Sequence, residues 1–159
     1  MTTRLPPLSL AWTHPATGAG LWIGGDEFDA EMLAERGIDT VLSLADAPRL
    51  RPGSQPRMRR LLFADGPLVP DADAEREAVA FVRAALAGGR NVLVHCSGGL
   101  NRSPYLAARI LVAEGLPPAA AVRQLLARRH PLCLSNETFA RAILGHPVPP
   151  AWREQAPRR

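Results

Sequence analysis

Cys96 and Arg102 bracket five residues, Ser97-Gly98-Gly99-Leu100-Asn101, and Ser103 follows directly, so that "HCSGGLNRS" runs from His95 to Ser103. Before this segment comes "NVLVH", apolar enough for a buried strand; after it, Pro104 to Glu114 is apolar almost all round, as a central helix would be. A strand ending at a cysteine and a helix beginning near Arg102 force the chain to turn within the segment. Glycine permits backbone angles that aim successive N–H groups inward. A helix N-terminus adds its own unpaired N–H groups and the positive end of its dipole, so residues 97–101 form a nest for a tetrahedral dianion. The same field stabilises a thiolate, since cysteines at helix N-termini can have pKa values lowered to roughly 3.5–7.5. Cys96 is therefore expected to be a nucleophile, and Arg102 to offer a planar pair of donors to two phosphoryl oxygens, which an ammonium could not. Ser103 is expected to donate its hydroxyl to the sulfur, to cap the helix, or both. His95 is expected to orient the loop from a buried position, because an ionised thiol needs no base. The competing reading of Cys96 is the common fate of a free cysteine, burial as a small apolar side chain. The agreement of strand, glycine turn, arginine and helix outweighs it.

Phosphoryl transfer also needs an acid for the leaving oxygen, and Asp65, Asp71 and Asp73 lie upstream. Asp65 directly follows the strand-like "RLLFA" (60 to 64). If that strand runs parallel to "NVLVH", Asp65 and Cys96 emerge on the same carboxyl rim, where α/β sites form. Asp71 and Asp73 open the next helical pattern, a place explained by capping and dipole preference. Asp65 is thus the expected general acid.

The elements that must hold these residues follow from periodicity. "LSLAWT" and "LWIGG", separated by "HPATGAG", predict a hairpin, and "DEFDAEMLAERG" carries Phe28, Met32 and Leu33 at helical spacing and stops at Gly37. "TVLSL" (40 to 44) and "RLLFA" read as strands, with a basic loop, "PRLRPGSQPRMRR" (48 to 60), between them. Helices are expected from Asp71 to Ala87, with Val79, Val82 and Leu86 on one face, from Pro118 onward, and over "SNETFARAIL" with Ser135 or Asn136 as cap. The Pro/Arg-rich tail (145 to 159) is expected to fray. Strands alternating with helices give an α/β class, one domain with a central mainly parallel sheet flanked by helices.

Composition narrows the classes further. The 159 residues, 47% hydrophobic, suit one buried core. No apolar run approaches the roughly 18 residues that span a bilayer, and "MTTRLPPLSLAW" is too short and proline-broken for a secretory segment. A cytoplasmic protein with no membrane partner is expected. The net charge of +4 comes wholly from arginine, which fits a compositional bias of the source better than nucleic-acid binding. Two cysteines, Cys96 and Cys133, lack the paired spacing of a zinc site, so no metal is expected; Cys133 is expected to be a core or loop residue rather than a redox partner.

"HCSGGLNRS" resembles the His-Cys-x5-Arg-Ser/Thr signature of the cysteine-dependent protein tyrosine phosphatase superfamily. "LWIGGDEFDAEMLAERGIDTVLSLAD", an Asp about thirty residues before the Cys, and the late "SNETFARAIL" are similar to dual-specificity phosphatases, over approximately Leu8 to Leu144. The resemblance implies a metal-independent, cofactor-free protein phosphatase working through a cysteinyl-phosphate intermediate. Its substrates would be phosphotyrosine and, by extension, phosphoserine and phosphothreonine. An RNA 5′-triphosphatase, some of which share the Asn-Arg pair, and a phosphopeptide-binding module without turnover are the alternatives.

Overall fold

The computed structural model describes residues 4–53 and 55–157. Met1 to Thr3, Ser54 of the basic segment, and the final Arg158 and Arg159 of the tail lie outside the described residues. β1 (Leu8–Thr13) and β2 (Gly20–Gly24) form the antiparallel hairpin, and β3 (Ile38–Ser43), β4 (Arg57–Arg60) and β5 (Asn91–His95) complete a five-stranded sheet in the order β1-β2-β5-β3-β4. The pairs β2–β5, β5–β3 and β3–β4 are parallel, so the sheet is mainly parallel, as the alternation of strands and helices predicts. β5 is central and its Val92, Leu93, Val94 and His95 are wholly buried, which is why it reads as an uninterrupted apolar run rather than an alternating one.

The two faces of the sheet collect different residues. Val92 and Val94 face the larger core, with α2 (Ala72–Ala87), α3 (Arg102–Ala113), α4 (Pro118–Arg128) and α5 (Glu137–Leu144). Leu93 joins Leu8, Phe28, Leu33, Ile38 and Val41 on the other face, under α1 (Ala30–Glu35). Phe28 precedes α1 rather than lying within it. Asp29 caps the helix by accepting from Met32 N at 2.9 Å, and Phe28 and Leu33, one residue before the cap and four after it, share that core as a hydrophobic staple.

Two elements differ from the sequence reading. The fourth strand is not "RLLFA" but "RMRR", Arg57 to Arg60, drawn from the end of the segment read as a basic loop. It pairs in parallel with β3 at the sheet edge, and all four of its residues are exposed. An edge strand needs no apolar alternation, and charged side chains there discourage pairing with another chain. Leu61 and Phe63 carry the apolar signal for a different reason: they follow the strand, Leu61 N still donating to Ser43 O at 2.9 Å, and pack against the larger core.

The tail is also more ordered than its composition suggests, forming α6 (Pro150–Gln155). Pro149 and Pro150 occupy the cap and first helical positions, where proline starts a helix instead of breaking one. Trp152 lies under the Arg123 guanidinium, 4.6 Å from its ring centre. Arg153 donates to Pro131 O (2.8 Å), Cys133 O (2.7 Å) and Leu134 O (3.1 Å). Leu134 needs that support, since it is a non-glycine residue with φ of 61°. Arg153→Ala is expected to cost about 2 kcal/mol through these carbonyls, a fall of roughly 6 °C in Tm for a domain of this size. A thermal melt checks it, and an unchanged midpoint would show the tail to be ornamental. Among the described residues no helix is long and apolar enough to cross a membrane.

Candidate active site

The segment after β5 is folded against the ends of the neighbouring strands. Cys96 N donates to Gly24 O (3.1 Å), Asp26 N to Ser97 O (3.0 Å) and Leu44 N to His95 O (2.9 Å). Gly99 has φ of +74°, and a Cβ on it would stand 2.7 Å from Gly24 C and Gly25 N and closer still to the Arg129 side chain, so only glycine fits. Gly98 has neither a left-handed φ nor anything within 4 Å of such an atom. Of the two glycines the sequence offers, the turn requires one.

Cys96 is 2% exposed, and its Sγ accepts the Gly99 N–H at 3.2 Å. Ser103 Oγ lies 3.4 Å from the sulfur and donates to Gly24 O at 3.2 Å. Because α3 starts at Arg102, Ser103 is inside the helix and is not its cap; the cap position belongs to Asn101, which makes no side-chain capping bond. The capping role expected of Ser103 therefore falls away, and its contact with the sulfur remains.

Arg102 donates from Nη1 to Phe63 O at 3.0 Å, while its Nε is buried with no partner among the described residues. An orphaned guanidinium N–H is costly unless a ligand satisfies it. Arg102 and Ser97 line a cleft of about 550 Å³ with Asp26, Leu44, Ala45, Asp46, Leu62 and Phe63. Leu100 and Gly99 turn their carbonyls the other way, to Leu134 N (2.8 Å) and Arg129 Nε (3.1 Å).

His95 is fully buried and edge-on to Phe28, with ring centres 4.9 Å apart. Its Nδ1 is 3.2 Å from Cys96 O, which can only accept, and its Nε2 is 2.8 Å from Ser43 Oγ. Burial lowers its pKa from 6.5, outweighing the opposing pull of the Cys96 backbone bond and of Asp26. The ring is thus neutral, protonated at Nδ1 and accepting the Ser43 hydroxyl proton at Nε2. Both nitrogens are taken by groups other than the sulfur.

Asp65 lies five residues beyond β4, not directly at its end. It nevertheless reaches the Cys96 loop: its Oδ2 accepts from Asn101 Nδ2 at 3.1 Å and its Oδ1 from Asn136 Nδ2 at 2.7 Å. Asn101 Oδ1 in turn accepts from Asn136 N (2.9 Å) and Ser135 Oγ (3.3 Å). Asp71 is spent on capping α2 through Ala74 N (3.0 Å), and Asp73 pairs with Arg76.

Sequence reasoning missed two residues here. Asn136 reads as a helix cap, which it is, accepting from Thr138 N at 3.0 Å, but its amide also holds Asp65 and Gly66 O. Arg129, 4% exposed, braces the loop from behind through Gly99 O, Ser9 Oγ (3.1 Å) and Pro6 O. No sequence signal sets it apart from the other arginines. Cys133 is free and buried, and burial pushes its thiol up to about 12, so it stays protonated at neutral pH. Among the described residues no three His, Cys, Asp or Glu side chains group as metal ligands would.

The family pattern described as "Dual specificity phosphatase, catalytic domain" matches residues 22–147. Dual specificity protein phosphatase 15 of Mus musculus is 27% identical over 132 residues, covering 78% of this chain and 53% of its own length. The human RNA/RNP complex-1-interacting phosphatase is 28% identical over 102 residues, covering 61% of this chain and 31% of its own. The chain spans about half or less of the length of these curated relatives. Among solved structures, human DUSP28 superposes with a TM-score of 0.71 at 22% identity, over 97% of each chain.

Proposed function

Since the chain belongs to the dual-specificity phosphatase family, we propose that it hydrolyses phosphate monoesters of proteins, phosphotyrosine first and phosphoserine or phosphothreonine second, through a cysteinyl-phosphate intermediate. What carries this reading is the unpartnered buried Nε of Arg102 in the same turn as a cysteine whose sulfur accepts a loop N–H. In the first step Cys96 Sγ attacks phosphorus in line, the S–P bond forming as the P–O bond to the leaving group breaks, and Asp65 gives its proton to the departing oxygen. The nest of residues 97–101 and Arg102 hold the three equatorial oxygens as their charge redistributes. In the second step water attacks the same phosphorus, Asp65 takes its proton, and Cys96 leaves as thiolate. Ser103 assists by turning its hydroxyl from Gly24 O toward the sulfur. His95 and Arg129 keep the loop in shape without touching substrate. The protein's own groups supply every charge these steps require, and a reducing compartment such as the cytoplasm suits a catalytic thiol.

The test is turnover of p-nitrophenyl phosphate, phosphopeptides and 5′-triphosphorylated RNA, each without added metal. Phosphopeptide hydrolysis supports the reading. Release of phosphate from the RNA alone would replace it with a 5′-triphosphatase, and binding without turnover would replace it with a phosphopeptide-binding module. The loop gives a second expectation on the same assay. Gly99→Ala should lower kcat/KM about 10²-fold by displacing the N–H that faces the sulfur, whereas Gly98→Ala, with open space at its Cβ, should stay within a few-fold. Equal effects would show that the left-handed turn is immaterial.

A further inference from the structure

The cleft beside Cys96 carries the opposite charge to the protein. The chain is +4 overall, yet among the described residues the only cation lining the cleft is Arg102, which serves the phosphoryl group, and the other ionisable side chains there are Asp26 and Asp46. The sheet order explains their placement. Cys96 follows the central β5, Asp26 lies two residues beyond β2 and Asp46 three beyond β3, the strands on either side. The nucleophile therefore emerges between two carboxylates. Asp26 N donates to Ser97 O on one side, and Leu44 N, two residues before Asp46, donates to His95 O on the other. Both aspartate side chains are exposed, and neither belongs to any of the ion pairs formed among the described residues. The nearby arginines do not fill the cleft. Arg51 pairs with Glu31, Arg59 with Glu77, and Arg57 and Arg59 lie over Phe81.

An anion seat with an unsatisfied guanidinium N–H, an apolar wall of Leu62 and Phe63, and two uncompensated carboxylates at the rim fit a ligand with three parts. These are a phosphoryl group, an apolar body and a positive charge close by. We infer that the preferred substrate is a phosphotyrosine segment flanked by Arg or Lys, read by Asp26 and Asp46. This inference rests on the phosphatase reading above. It also places polyanions, such as a triphosphorylated RNA end or a polyphosphorylated lipid headgroup, among the poorest ligands, despite the basic isoelectric point.

The test compares two phosphotyrosine peptides that differ only in having Arg or Glu on both sides of the phosphotyrosine. A unit charge roughly 6 Å from a carboxylate in a water-like medium changes an equilibrium by about threefold, so reversing one flanking charge should change kcat/KM about tenfold and reversing both about a hundredfold. The Arg peptide should be the better substrate at low salt, and the gap should close at high salt. In the double variant Asp26→Asn, Asp46→Asn the ratio should fall close to one. Being a ratio, it is unaffected by how much active protein each preparation holds. Equal rates for the two peptides, or a preference for the Glu peptide, would overturn the inference and leave the phosphatase reading standing. Failure to hydrolyse either peptide would overturn both.

Discussion

Cys96→Ser is expected to reduce turnover to background, a loss of about 10⁵-fold or more, while leaving the affinity for inorganic phosphate or a phosphopeptide largely intact. A serine hydroxyl is not appreciably ionised at neutral pH and is a far weaker nucleophile. In the proposed site the anion is held by Arg102 and by loop N–H groups besides that of Gly99, the one that donates to the sulfur. The exchange is also nearly isosteric, so Gly99 N can donate to the new oxygen as it does to Sγ at 3.2 Å. Single-turnover kinetics and calorimetric titration with a phosphotyrosine peptide separate the two effects. Hydrolysis at more than about a thousandth of the wild-type rate would remove Cys96 from the mechanism; binding lost along with turnover would mean that the nest is built around the sulfur.

Asp65→Asn is expected to cost on the order of 10² to 10⁴ in rate. In the proposed first step Asp65 gives a proton to the departing oxygen. An asparagine can donate no such proton. The loss should be larger for phosphoserine than for p-nitrophenyl phosphate, whose leaving group departs with less help. Asp71→Asn is the internal contrast, because asparagine caps a helix as well as aspartate and Asp71 accepts from Ala74 N. If Asp71→Asn lost the rate and Asp65→Asn kept it, the acid would be misassigned.

The parts of this molecule legible in its sequence are those in which local chemistry and global packing ask for the same residues. The turn from Cys96 into α3 is one, because its left-handed bend against Gly24 and Gly25 admits only a glycine at position 99; the buried β5 is another. Legibility fails where one residue type serves two ends. Alternating Leu61 and Phe63 promise a strand but anchor the segment that follows one, while the arginines that look like a solvated loop make the edge. Asn136 looks fully explained as a cap, and nothing local reveals that its amide also crosses to Asp65, 71 residues earlier. Arg129 and Arg153 are two of 19 basic residues, and only the folded chain shows which of them serve loop carbonyls.

β5 is synthesised after β2 and β3 but belongs between them. Until residues 91–95 are made, the strands before them cannot close into one sheet, and pairings of such sequence separation are slow to form because loop closure precedes any reward. Cys96 rides on the strand that completes the sheet, and the turn around it is bonded to the ends of the two strands joined by that insertion, through Gly24 O, Asp26 N and Leu44 N. Completion of the sheet and assembly of the proposed site are therefore coupled.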